Sequence, residues 1–307
     1  MKKDLDFGKT IKRVGITTII WNAILSVVKL IVGILACSSA MISDAVHSAS
    51  DIFTTIIVMI GAKISTKDSD DKHLYGHERF ESIASIFLGV LLGATALGIG
   101  YGAVNVIINF SPSTAAPDKY IYLALGGAIL SIIVKAVMYF YTIDAAKRIN
   151  SNSLKADAWH HLSDSLSSIG SALGIVGMLI GKGWEILDPI AGIIICLIIL
   201  KVSFDIIKSA IDQLVDKSIK TETANEIKNK IMNVDKVMGI KSFKSRQFGN
   251  KMYVDVEIYL DSELSFKEAN DVAENVHDFL EKEYEDLKHC AVCVKPVENA
   301  VAIDKNV

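Results

Sequence analysis

The chain has 307 residues, 51% of them hydrophobic, with a mean hydropathy of +0.38 and only 4 Pro. That is too apolar for an ordinary soluble enzyme or a disordered chain. A net charge of -3 and a pI of about 6.2 leave no basic footprint for nucleic acid. Charge is unevenly spread: 35 of the 67 charged residues lie from Asp205 onward, so an apolar body precedes a polar C-terminal third. The four cysteines, Cys37, Cys196, Cys290 and Cys293, are too few and too scattered for a disulfide framework. Cys37 and Cys196 sit in apolar runs and read as packing residues.

Met1–Arg13 is polar and basic, but the apolar run after it is too long for a signal peptide and lacks a small-residue cleavage site. A bilayer crossing takes about 20 apolar residues. Six such segments are predicted: Gly15–Ala36, Met41–Ile64, Ile83–Phe110, Tyr120–Thr142, Ala158–Ile180 and Ile186–Ile207. Very short connections after the first and fifth make helical hairpins of those pairs. Basic residues collect on one side: Lys2, Lys3, Lys9, Lys12 and Arg13, then Lys63, Lys67, Lys72 and Arg79, then Lys147, Arg148 and Lys155. The opposite side has little beyond Lys119 and Lys182. By the positive-inside rule both termini are cytoplasmic.

The polar third reads as a small α/β domain. Thr221–Val234 is helical in pattern, and Val237–Phe248 and Lys251–Asp261 read as strands joined by a turn at Gly249-Asn250. In the second strand Met252, Val254, Val256, Ile258 and Leu260 alternate with Tyr253, Asp255, Glu257 and Tyr259, the period of a half-buried strand. Ser265–Tyr284 is an amphipathic helix opened by a capping box of Ser265 and Glu268, and His289–Val297 is a third strand. The fold class is therefore an α-helical membrane protein: a six-helix transmembrane domain over residues 1–212, a ferredoxin-like αββαβ domain over 213–299, and a loose end over 300–307.

The chemistry lies in the second and fifth spans. The second contains Ser43-Asp44-Ala45-Val46-His47-Ser48-Ala49-Ser50-Asp51; the fifth contains Asp157-Ala158-Trp159-His160-His161-Leu162-Ser163-Asp164. Each has His and Asp at i, i+4, one turn apart on one face. An ionisable side chain at mid-span costs at least ~2.5–3.5 kcal/mol, so two such pairs need an explanation. Two imidazoles and two carboxylates converging from two helices make a four-coordinate site whose charge balances a divalent cation. The alternative is hydrogen bonding that pins the helices together. Asp44 and Asp157, one turn before each pair, either relay ions or protons, orient the histidines, or accept helix-packing hydrogen bonds. Spacing alone also permits His161 as a ligand.

These features resemble the cation diffusion facilitator family of divalent-metal/proton antiporters. The resemblance rests on the two HxxxD pairs, six spans, the loop with Asp70, His73 and His77, Asp188-Pro189 opening the sixth span, and the αββαβ tail, from about Lys9 to Val297. It implies a transport site of His47, Asp51, His160 and Asp164, selecting His160 over His161. Histidine in the first position of both pairs is associated with zinc in that family. Tetrahedral N/O ligation suits zinc, while affinity ordering leaves iron, cobalt, cadmium and manganese open. No resident cofactor is implied; the metal is cargo, exchanged for protons, and the host is a prokaryotic cell membrane. The family also implies a homodimer, a peripheral metal at Asp70, His73 and His77, and a charge interlock between Arg79 and Asp216. The bland reading of the loop is a solvated segment with exposed histidines, and that of the interlock an ordinary surface pair.

Two departures qualify the resemblance. The tail lacks the family's metal-binding histidines, with Lys241, Glu257, Asn270 and Cys293–Lys295 in their place. Cys290 and Cys293 with His289 form a CxxC alternative, but residues i and i+3 on a strand face opposite ways. His277 reads as a surface or interface residue. His77-Glu78 starts a zinc-protease HExxH pattern that fails at Glu81, which argues against an intramembrane metalloenzyme. A membrane-bound metal sensor or scaffold remains the other rival. Gly89 and Gly93 form a GxxxG pair for close helix contact, within the protomer or at a dimer seam.

Overall fold

The computed structural model describes residues 2–35, 39–109, 121–180, 186–249 and 251–297. Within these, the side chains at 2–6, 33, 35, 39–44, 46–47, 121, 123–124, 170–171, 174–175, 177–180 and 187–188 are outside the description. Cys37 and the loose end over 300–307 therefore lie outside the described residues. The chain divides into two compact units, Met1–Ile211 and Asp212–Val307.

The first unit is built from α1 (Lys2–Leu35), α2 (Ser39–Ser65), α3 (Arg79–Ile108), α4 (Ile121–Ile149), α5 (Asn152–Ile180) and α6 (Leu187–Leu214). The helices outlast the predicted spans: α1 begins at Lys2, α4 runs to Ile149, and α5 starts at Asn152. Apolar runs mark where lipid can solvate a helix, whereas the hydrogen-bond ladder continues through polar turns that hold no proline. Only Asn150 and Ser151 separate α4 from α5, a hairpin the hydropathy boundaries concealed. Asn150 takes a positive φ of 51°, and the Ser151 hydroxyl accepts the Leu154 N–H at 3.2 Å to cap α5.

This unit is arranged inside out relative to a soluble bundle. On α3 the buried side includes Glu81, Ser82, Ser85, Leu88, Gly89, Leu92 and Ala96, while Phe87, Val90, Leu97 and Tyr101 are exposed. On α3 small and polar residues thus join Leu88 and Leu92 at the helix contacts, while Phe87, Val90, Leu97 and Tyr101 point outward, as lipid requires. Among the described residues, segments in five helices are long and apolar enough to cross a membrane: Phe7–Val32, Ser48–Ser65, Arg79–Ile108, Leu125–Ile149 and Pro189–Leu214. The described part of α5 falls short because Asp157, His160, His161, Asp164 and a run of serines interrupt it, yet the four ionisable side chains, Ser163 and Ser165 are buried.

The GxxxG pair packs within the chain. A Cβ at Gly89 would stand 2.7 Å from Ile207, one at Gly93 2.7 Å from Ser203 Oγ, and one at Gly100 2.6 Å from Cys196 Sγ. Ser203 Oγ donates to the Gly89 carbonyl at 2.8 Å, so α3 and α6 meet backbone to side chain.

The second unit runs α7 (Thr221–Met232), β1 (Gly239–Phe248), β2 (Lys251–Leu260), α8 (Phe266–Glu283) and β3 (Leu287–Pro296). The sheet order is β1-β2-β3, with β1–β2 antiparallel and β2–β3 parallel. Gly249 supplies the positive φ, 53°, where the hairpin turns. A parallel pair needs a crossover, and α8 provides it. Val254, Val256, Ile258 and Leu260 form one core with Ile227 and Ile231 of α7 and Val272, Val276 and Leu280 of α8. The capping box is present: Ser265 Oγ accepts the Glu268 N–H, and the Glu268 carboxylate accepts the Ser265 N–H at 3.0 Å.

Candidate metal centre

Three of the four sequence-designated ligands come together. Asp51 on α2 and His160 and Asp164 on α5 each offer a ligand atom, all within 4.8 Å of one another, and all three side chains are buried. His160 Nε2 lies 3.1 Å from Asp51 Oδ1 and 4.0 Å from Asp164 Oδ2. One turn of helix separates His160 from Asp164, which sets both on the face of α5 that meets α2. The side chains of His47 and Asp44 lie outside the described residues, as does that of Asp188.

A fourth group, absent from the sequence reading, completes the cluster. Lys135 on α4 is 1% exposed, and its ammonium donates to Asp51 Oδ2 at 2.5 Å and to Asp164 Oδ2 at 2.8 Å. The signal was available: Lys135 is the single charged residue between Tyr120 and Thr142. A lone ionisable residue inside a span is a functional marker. Lys29 is the corresponding lysine of the first segment; it is buried and donates to Ser48 Oγ at 3.1 Å.

Asp157 and His161 form a separate buried pair. His161 Nε2 is 3.6 Å from Asp157 Oδ2, both side chains are 0% exposed, and Thr55 Oγ1 donates to Asp157 Oδ1 at 3.3 Å. Asp157 Oδ2 and both ring nitrogens of His161 have no hydrogen-bond partner among the described residues. Asp157 thus neighbours His161, while Asp51 and Asp164 flank His160.

Asp70, His73 and His77 also converge, with ligand atoms within 4.8 Å of one another in the loop between α2 and α3. Asp70 Oδ1 accepts the N–H groups of Lys72 at 2.9 Å and His73 at 2.8 Å. These backbone bonds, His73 first, hold its carboxyl below the ordinary carboxylate range. His77 is 6% exposed rather than solvated, and its Nδ1 lies 3.1 Å from the Asp68 carbonyl. A carbonyl only accepts, so Nδ1 donates to it, and Nε2 stands 3.4 Å from Asp70 Oδ2. Glu81, where the protease motif fails, has a structural task instead. Its Oε1 accepts from Ser151 Oγ at 2.5 Å and Ser153 Oγ at 3.3 Å, placing a carboxylate at the N-terminus of α5.

In the second unit, no group of three close His, Cys, Asp or Glu ligands occurs among the described residues. Lys241 pairs with Glu257 at 3.6 Å, and His277 Nδ1 lies 2.9 Å from the Cys290 carbonyl. Cys290 is buried and Cys293 exposed, on opposite faces of β3; burial pushes the Cys290 thiol up to about 12. Arg79 and Asp216 fall in different units.

Residues 16–215 match the family described as the cation efflux transmembrane domain, and residues 219–297 match the cation efflux protein cytoplasmic domain. The chain is 40% identical over 267 residues to an uncharacterized transporter of Methanocaldococcus jannaschii, covering 87% of this chain and 92% of that one. It is 30% identical over 290 residues to the manganese efflux system protein MneP of Bacillus subtilis, covering 93% and 96%. A nickel form of a MamM C-terminal domain variant covers 26% of this chain and 100% of its own, with 20% identity and a TM-score of 0.25.

Proposed function

Since the chain belongs to the cation efflux, or cation diffusion facilitator, family of membrane metal transporters, we propose that it exports Zn2+ from the cytoplasm in exchange for protons. The observation that carries this reading is the convergence of Asp51, His160 and Asp164 from two helices in the interior of an inside-out bundle. His47, one turn before Asp51 on α2, is the proposed fourth ligand. Metal requires deprotonated imidazole and carboxylate, so protons compete for the same atoms, and alternating exposure of the site couples the two fluxes. The loop cluster Asp70, His73 and His77 is a proposed peripheral metal site. A homodimer joined through the cytoplasmic domains, an Arg79–Asp216 interlock and cytoplasmic termini in a prokaryotic cell membrane complete the proposal. We further assign transport to residues 1–212 and dimerisation to 213–299.

A second reading, manganese export, is favoured by the name of the Bacillus subtilis relative. It is also favoured by the two carboxylates among the three clustered ligands, since oxygen donors suit manganese. Uptake of zinc, manganese, iron, cobalt and cadmium into proteoliposomes under an imposed pH gradient decides between them. Zinc uptake that collapses with the gradient is expected. Gradient-dependent uptake of manganese without zinc replaces zinc by manganese, and no flux of any metal moves the protein to the sensor or scaffold class.

A further inference from the structure

Lys135 sits where cargo would sit. It is held by carboxylates from two different helices, Asp51 of α2 and Asp164 of α5, and these are two of the three groups that converge for a metal. The third, His160, engages the other oxygen of Asp51. A divalent ion bound by Asp51, His160 and Asp164 must therefore take over oxygen contacts that the ammonium makes. Two cations at hydrogen-bond separation from the same oxygens repel strongly in a buried setting. One of them has to leave.

We propose that Lys135 is a tethered competitor for the transport site: its ammonium holds Asp51 and Asp164 between cargo ions, withdraws when metal binds, and returns to drive metal off. The proposal rests on Asp51, His160 and Asp164 being the transport site. The side chain is suited to the task, because a lysine is a compact charge on a flexible four-carbon stem. Tethering also gives the ammonium a high effective concentration that never dilutes away. With the ammonium in place, the two buried carboxylates always have a cation, which spares the protein an uncompensated pair of charges whenever cargo is released. A transporter needs this: a site that binds too tightly does not turn over. Lys135 therefore lowers metal affinity and raises turnover.

The test separates those two quantities. Full-length protein carrying His77→Ala, so that the loop does not contribute, is titrated with Zn2+ and with Mn2+, with and without Lys135→Met. Methionine keeps the length and apolar stem and removes the charge. Loss of the competitor is expected to tighten binding by roughly tenfold or more, while the maximal transport rate in proteoliposomes falls. A merely structural lysine would weaken binding and transport together. Unchanged or weaker binding in Lys135→Met, while Asp51→Ala abolishes it, overturns the competitor and leaves the transport site standing. Binding that survives Asp51→Ala sinks the site and the competitor alike. Should Lys135→Met fail to fold, the otherwise wild-type chain loaded with Zn2+ is imaged by electron cryomicroscopy. Lys135 Nζ withdrawn from both carboxylates supports the proposal, and Nζ still bridging them overturns it.

Discussion

Asp70 is a residue outside the bundle whose protonation is set by its surroundings. Backbone N–H groups of His73 and Lys72 bond its charged form, so its folded pKa lies below the ordinary value of 3.8. A depressed carboxylate pKa adds stability that is complete above the ordinary value and is lost as pH falls through the folded one. Carbon NMR of the Asp70 carboxyl should therefore titrate with a midpoint below 3.8, and a midpoint at or above it contradicts the turn geometry. Metal titration of Asp51→Ala should retain one class of site, in the loop, that His77→Ala removes. Retention of that class in the double variant would dissociate the loop from metal binding. At this scale Asp51, His160, Asp164 and the loop triad could be singled out because fixed spacing marks helix faces and turns, whereas the His47 side chain lies outside the described residues. Lys135 was not read, because a single lysine has no spacing partner in its own helix; its partners lie 84 and 29 residues away in sequence.

Close approach of α3 and α6 depends on glycine at particular positions. Gly93→Val should force Cβ into Ser203 and cost about 1–3 kcal/mol by overpacking. Gly98→Ala, with nothing within 4 Å, should be neutral or slightly stabilising. Thermal unfolding of the full chain checks both, and equal midpoints for the two variants would contradict the packing. The sequence showed that small residues recur along α3 but left their partner open, since GxxxG specifies closeness and not the neighbour. Helix ends were likewise hidden, because hydropathy marks the lipid-facing stretch while the caps at Asn150 and Ser151 mark the real boundary. Strand alternation in β2 and the Ser265 capping box were readable because both are local and periodic.

For the whole molecule, composition alone separated an apolar helical body from a polar tail, and the αββαβ order followed from periods of 2 and 3.6. The bundle buries charged side chains on α1 to α5, and those of α2, α4 and α5 come together at Asp51, Lys135, His160 and Asp164. In such a medium ionisable groups persist for a functional reason. Metal uptake into proteoliposomes under a pH gradient, wild type against Asp51→Ala, tests that reason most directly. The account predicts gradient-driven uptake that Asp51→Ala abolishes while the chain stays folded and dimeric. Wild-type rates in that variant would contradict it.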